Sequence, residues 1–126
     1  MAERDLQRRP WRRLVVETAT QVLEYLGGTL VIPQTVLVQA YWEEIAAGLQ
    51  QHDVHVHHLV LHADPGTLIR RITADPVEVG ARQWRLDHLA GYERALPWLT
   101  HSAELIDTTQ HPPAQVAELV LESVRR

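Results

Sequence analysis

Histidine occupies eight positions, 52, 55, 57, 58, 62, 88, 101 and 111, and imidazole is a common protein ligand for metal ions. His55, His57, His58 and His62 fall in one stretch with the pattern of a strand. Strand geometry puts 55 and 57 on one face and 58 and 62 on the other, so the four do not converge on one ion. His55 and His57 offer two ligands without an identifiable third. Hydrogen-bonded histidines at a polar strand entrance are therefore the expectation, with no metal site. Arginine carries a second chemistry. Arg70 and Arg71 end one amphipathic stretch, and Arg82 and Arg85 stand one helical turn apart at the start of the next. A hairpin would bring these pairs together, and planar guanidinium forks suit phosphate oxygens. The plainer reading is solvated helix faces balanced by Asp75, Glu78 and Asp87. Arg8, Arg9, Arg12 and Arg13 read as a basic helix entrance.

Other chemistries are absent from the residue types themselves. All 12 basic residues are arginine, so no lysine can bind phosphate in the manner of a P-loop. No Gly-x-x-x-x-Gly-Lys-[Ser/Thr], Gly-x-Gly-x-x-Gly or Gly-x-Ser-x-Gly occurs, and Ser102 and Ser123 have no recognisable base beside them. The chain contains no cysteine, which excludes disulfides, thiol nucleophiles and thiolate zinc sites and suits a reducing cytoplasm.

Amphipathic and apolar runs predict the elements that would position these side chains. Trp11, Val15, Ala19, Val22, Leu23 and Leu26 mark one face of a helix from Pro10 to Leu26, stopped by Gly27 and Gly28. Thr29 to Ile32 reads as a short buried strand ended by Pro33. A helix follows over roughly 35–50. A second strand is predicted near 56–62, then a helix capped by Asp64 with Pro65 first, ending near Asp75. After a loop over 77–80, a long helix over 81–99 leads to a third strand over 103–107. A helix opened by Pro112 and Pro113 closes the chain. This order predicts an α/β fold: a three-layer parallel sheet with flanking helices and right-handed crossovers. Three strands are few for that class.

A length of 126 residues predicts a single domain over 1–126, and 45% hydrophobic residues are ordinary for a chain with a real core. The net charge of -4 argues against sequence-blind binding to nucleic acid or anionic membrane. The charged start, Met1 to Asp5, lacks the apolar core of a signal peptide, and no stretch is long enough to span a bilayer. A cytoplasmic protein is expected.

Several stretches taken together resemble the tunicamycin-resistance-like ATP-binding proteins of bacteria, part of the P-loop kinase-like group that includes antibiotic-resistance enzymes and small-molecule kinases. They are Trp11 to Ala19, Gly28 to Thr35, Leu61 to Asp64, Ala81 to His88 and Ile106 to Thr109, in the family's order and spacing from about Arg9 onward. The resemblance implies an incomplete P-loop nucleoside-triphosphate hydrolase or kinase fold missing its first strand and phosphate loop, since family members open with a strand and a Walker A loop. The chain is thus expected to be the C-terminal two-thirds of such a protein. It further implies a lid over about 70–90 in which Arg71, Arg82 and Arg85 approach nucleotide phosphates. Gln34 and Thr35 would face a substrate or a metal-bound water shell, and Asp107, Thr108 and Thr109 would form the turn beside adenine. No acidic residue stands where the family has its Walker B carboxylate, which argues against direct magnesium ligation there. ATP and Mg2+ are the implied cofactors, and a nucleotide and a small molecule are the implied ligands once a phosphate loop completes the site. Alone, the chain is expected to be inactive and to self-associate. The competing expectation is a catalytically inert remnant that acts, if at all, as a protein-binding module.

Overall fold

Gly27 and Gly28 set the first boundary. Both hold positive φ, 67° and 76°, and the Gly27 N–H donates to the Leu23 carbonyl at 2.8 Å. This left-handed cap, which glycine adopts without steric cost, closes α1 (Ala2–Leu26). The computed structural model describes residues 2–77 and 79–126, with side chains from Trp11 onward apart from Glu78. The backbone of α1 extends the helix expected from Pro10 back to Ala2.

The described chain forms two compact units, Met1–Val56 and His57–Arg126. In the first unit α1 packs on α2 (Gln39–Gln51). Arg12 meets Glu44 and Val16 meets Gly48. Contacts therefore advance in the same direction along both helices, and the helices run parallel. A Cβ at Gly48 would lie 3.0 Å from a Val16 methyl, so glycine is what permits the close approach. Ala19, Ile45 and Leu49 form the buried centre, with Val15, Val16, Trp42, Val54 and Val56 among the residues packed around it.

In the second unit β1 (Leu59–His62) pairs in parallel with β2 (Glu104–Asp107), Leu59 opposite Glu104 and His62 opposite Asp107. Between them come α3 (Pro65–Ala74), a 3-10 turn (Val79–Ala81), α4 (Arg82–Asp87) and α5 (Leu89–Ser102), and α6 (Pro113–Arg125) follows. Ala63, Ile72, Ala95, Leu99, Ile106 and Val116 are its buried apolar residues.

This architecture corrects the expected fold class. Among the described residues the structure is mostly helical with one two-stranded parallel sheet, not a three-layer parallel sheet or a P-loop kinase-like sheet lacking one strand. The missing member is the strand expected at 29–32. Residues 29–36 make no backbone-to-backbone hydrogen bond among the described residues, and Leu30, Val31 and Ile32 are exposed. An apolar, β-branched run becomes a strand only when a neighbour supplies the ladder, and no described strand lies beside this one. The second strand is also shorter than expected. Val54 and Val56 pack on the helical core of the first unit, and pairing begins only at Leu59. The expected long helix over 81–99 is broken at His88, whose Nδ1 bonds the Trp84 carbonyl at 2.6 Å while its ring stacks 3.9 Å from that of Trp84. Side-chain competition for a helix carbonyl is a recognised source of such interruptions.

Candidate functional site at the parallel strand ends

Asp64 organises the exit from β1. Its Oδ1 accepts from the Thr67 N–H at 2.7 Å, capping α3, and Pro65 supplies the preset φ of the first helical residue. The Thr67 backbone and then its hydroxyl hold the Asp64 carboxyl below its ordinary pKa. The exit from β2 is built in the same way. Asp107 accepts from the Thr109 N–H at 2.9 Å, and the Thr109 hydroxyl and backbone keep that carboxyl low too. The two exits are joined, because the Asp64 N–H donates to the Thr109 hydroxyl at 3.1 Å.

Thr108 carries the ladder beyond the strands. Its N–H donates to the His62 carbonyl at 2.6 Å, and its hydroxyl donates to the same oxygen at 3.0 Å. Arg71, in the last turn of α3, closes over it: Nη1 donates to the Thr108 hydroxyl at 2.9 Å and Nη2 to the Thr108 carbonyl at 2.6 Å. His62 ends β1 with its Nδ1 hydrogen-bonded to the Tyr92 hydroxyl at 2.6 Å. Burial pushes the Tyr92 phenol above its ordinary pKa. Carboxylates, hydroxyls and a guanidinium thus gather at the C-terminal ends of parallel strands, the edge where open α/β sheets receive ligands.

The residues singled out in the sequence divide. Arg71, Asp107, Thr108 and Thr109 come together at this edge. Arg85 does not join them through a shared partner, because its Nη1 is paired with Asp75 at 2.9 Å, the local charge balance that Asp75 offered. Arg82 is half-buried, and its Nε finds no partner among the described residues. Gln34 and Thr35 are exposed on the connection between α1 and α2, where Gln34 lines a shallow apolar cavity of about 360 Å³ together with Trp11, Leu14 and Ile32. Glu78 and the side chains of Arg8 and Arg9 lie outside the described residues. Arg12 is no basic entrance: it is buried, paired with Glu44 at 2.6 Å and laid 3.9 Å over the Tyr41 ring.

Comparison of the chain with protein-family models, with curated proteins and with solved structures finds no match. Among the described residues no three His, Asp or Glu side chains come together as a metal would require. Two features of the site escaped sequence reasoning. Tyr92 counted only as a packing residue on an amphipathic helix, and its partnership with His62 has no local signature. The bridge from Arg71 to Thr108 spans 37 positions and depends on the parallel pairing that brings the two exits together.

Proposed function

We propose that the chain supplies the lid and substrate side of an ATP-binding small-molecule phosphotransferase and does not transfer phosphate by itself. One observation carries the reading. Arg71 is oriented by two hydrogen bonds to Thr108, yet a guanidinium has five N–H donors, so three remain to meet an anion at the strand ends. Asp107, Thr108 and Thr109 fix the adjoining turn, and the half-buried Arg82 Nε is a donor in want of an acceptor.

The chain's own residues do not fit a complete magnesium triphosphate site. Lysine and the glycine-rich loop motif are absent from the sequence, and the described carboxylates form no cation-binding cluster. In this reading a phosphate loop comes from another segment or another chain, and no reaction step is assigned to the residues seen here. The protein would work in the cytoplasm, where nucleotide is available, and no described helix is long and apolar enough to cross a membrane.

Calorimetric titration with Mg-ATP tests the reading. The chain alone is expected to bind weakly or not at all, and a version extended with a strand and a Walker A segment is expected to bind. Arg71→Ala in the extended version should cost about 1.5–3 kcal/mol of binding, the worth of a charge-assisted contact. An extended protein that binds no nucleotide, or binds it equally with Arg71→Ala and Arg82→Ala, removes the proposal.

A further inference from the structure

The first turn of α2 lacks the groups that usually close a helix start. Val38 holds the extended N-cap conformation, φ -100° and ψ 117°, but its side chain has no oxygen to offer, and no side chain caps the turn. Tyr41 and Trp42 both donate to the Val38 carbonyl, whereas the N–H groups of Gln39 and Ala40 find no backbone acceptor among the described residues. No acidic residue stands in that turn to offset its partial positive charge.

The neighbouring helix adds charge of the same sign. The Arg12 side chain is only 6% exposed, and its guanidinium lies 3.9 Å over the ring of Tyr41, within that first turn. Its Nε donates to Glu44 at 2.6 Å, while its Nη1 is buried and has no partner among the described residues. A buried guanidinium N–H without an acceptor is costly, and a bound ion is one of the few explanations for such a group. The direction of packing sharpens the conflict. Because Arg12 meets Glu44 and Val16 meets Gly48, positions 8 and 9 of the α1 backbone come level with the first turn of α2. Four arginines and no acidic residue stand between Leu6 and Val16. An antiparallel partner would have set this run beside C-terminal carbonyls, which favour cations, but the parallel one sets it beside a pole of like sign.

We propose that Arg12 and the first turn of α2 form a site for a small phosphate-bearing anion, either inorganic phosphate or a phosphomonoester. One tetrahedral group has oxygens enough to accept from the Gln39 and Ala40 N–H groups and from Arg12 Nη1 together. Glu44 remains on Nε and fixes the plane of the fork. A net charge of -4 disfavours nucleic acid as the occupant. The site lies wholly within the first unit and does not depend on Arg71 or on nucleotide chemistry.

Amide NMR of the full chain, titrated separately with inorganic phosphate and with phenyl phosphate at constant ionic strength, tests it. Saturable shifts of the Gln39 and Ala40 amides are expected. Saturation by both probes identifies the phosphate group itself as the ligand, and saturation by inorganic phosphate alone identifies the free ion. Val38→Asp places a carboxylate of the chain's own at the N-cap, on a side chain that is 44% exposed. It should raise the unfolding temperature and weaken phosphate binding roughly tenfold or more. Arg12→Gln should weaken binding as much, and if its lost ion pair unfolds the first unit, the stabilised Val38→Asp chain still decides. Arg71→Ala should leave the titration unchanged. The proposal is overturned if neither probe moves these amides, or if chloride moves them equally. Phosphate affinity that Val38→Asp leaves unaltered, or that Arg71→Ala abolishes, overturns it as well.

Discussion

His58 is the residue whose titration bears most directly on stability near neutrality. Burial lowers its pKa below the ordinary 6.5, partly offset by a hydrogen bond with the Ser102 backbone. The folded state therefore prefers the neutral ring. Its contribution is complete above pH 6.5 and is lost as pH falls from there through the lower folded value, because the unfolded chain takes up the proton first. Urea midpoints measured from pH 7.5 to 5 should fall, and His58→Gln should flatten that slope. Asp64 acts in a lower window. Its carboxyl is held low by Thr67, so its contribution is present above the unfolded carboxyl value near about 3.9 and disappears as pH falls through the folded value. Asp64→Asn keeps an acceptor for the cap but cannot titrate. Acid unfolding of that variant is expected to be less steep than that of the parent, while Asp64→Ala should lower stability at every pH.

Among the elements, the contact between α1 and α2 makes an opposing pair of effects measurable. Gly48→Ala raises helix propensity by about 0.8–1.0 kcal/mol. Its new Cβ would also lie 3.0 and 3.1 Å from the two Val16 methyls, and overpacking costs about 1–3 kcal/mol. Val16 is β-branched and cannot swing away cheaply, so the clash should win by about 1 kcal/mol in denaturant unfolding. Val16→Ala placed beside it should recover most of that loss, a coupling that independent sites would not show. The link between α3 and the turn after β2 behaves differently, because the Arg71 guanidinium reaches it through long-range hydrogen bonds. Removing it with Arg71→Ala should cost about 0.5–1.5 kcal/mol and loosen the Thr108 amide in hydrogen exchange. Asp64 with Pro65, the glycine pair after Leu26 and Pro112 with Pro113 at the start of α6 make these element ends legible in sequence, since each is a local backbone constraint. The break at His88 is not legible, since it rests on a ring stacking over Trp84.

For the whole molecule the expected behaviour is that the chain alone neither hydrolyses ATP nor transfers its phosphate. Arginines can screen phosphate charge, but positioning a γ-phosphate for in-line attack needs backbone donors, a lysine and a metal-bound hydroxyl in fixed geometry. Purified chain with Mg-ATP should therefore show no turnover in a phosphate-release assay. Turnover that disappears with Arg82→Ala would mean the chain holds a complete active site and would end the reading offered here. The two units each gather their own core, Ile45 and Leu49 in the first and Ile106 and Val116 in the second. A hydrophobic pattern reports that cores exist, and says nothing of how many separate centres they form.

The sequence by itself determined what local chemistry controls. Helix periodicity placed the amphipathic part of α1, Asp64 and Pro65 opened α3, Pro112 and Pro113 opened α6, and the strands expected over 56–62 and 103–107 pair in parallel over the shorter 59–62 and 104–107. The absence of lysine and cysteine removed whole classes of chemistry before any contact was known. Tertiary structure decided everything that depends on a partner far along the chain. Leu30 to Ile32 has the composition of a strand and remains unpaired, because a ladder belongs to two strands and not to one. Arg71 and Arg85 have the same fork, yet one closes on Thr108 and the other on Asp75. A residue's type fixes the bonds it is able to make, and only the folded chain fixes which partner is within about 3 Å.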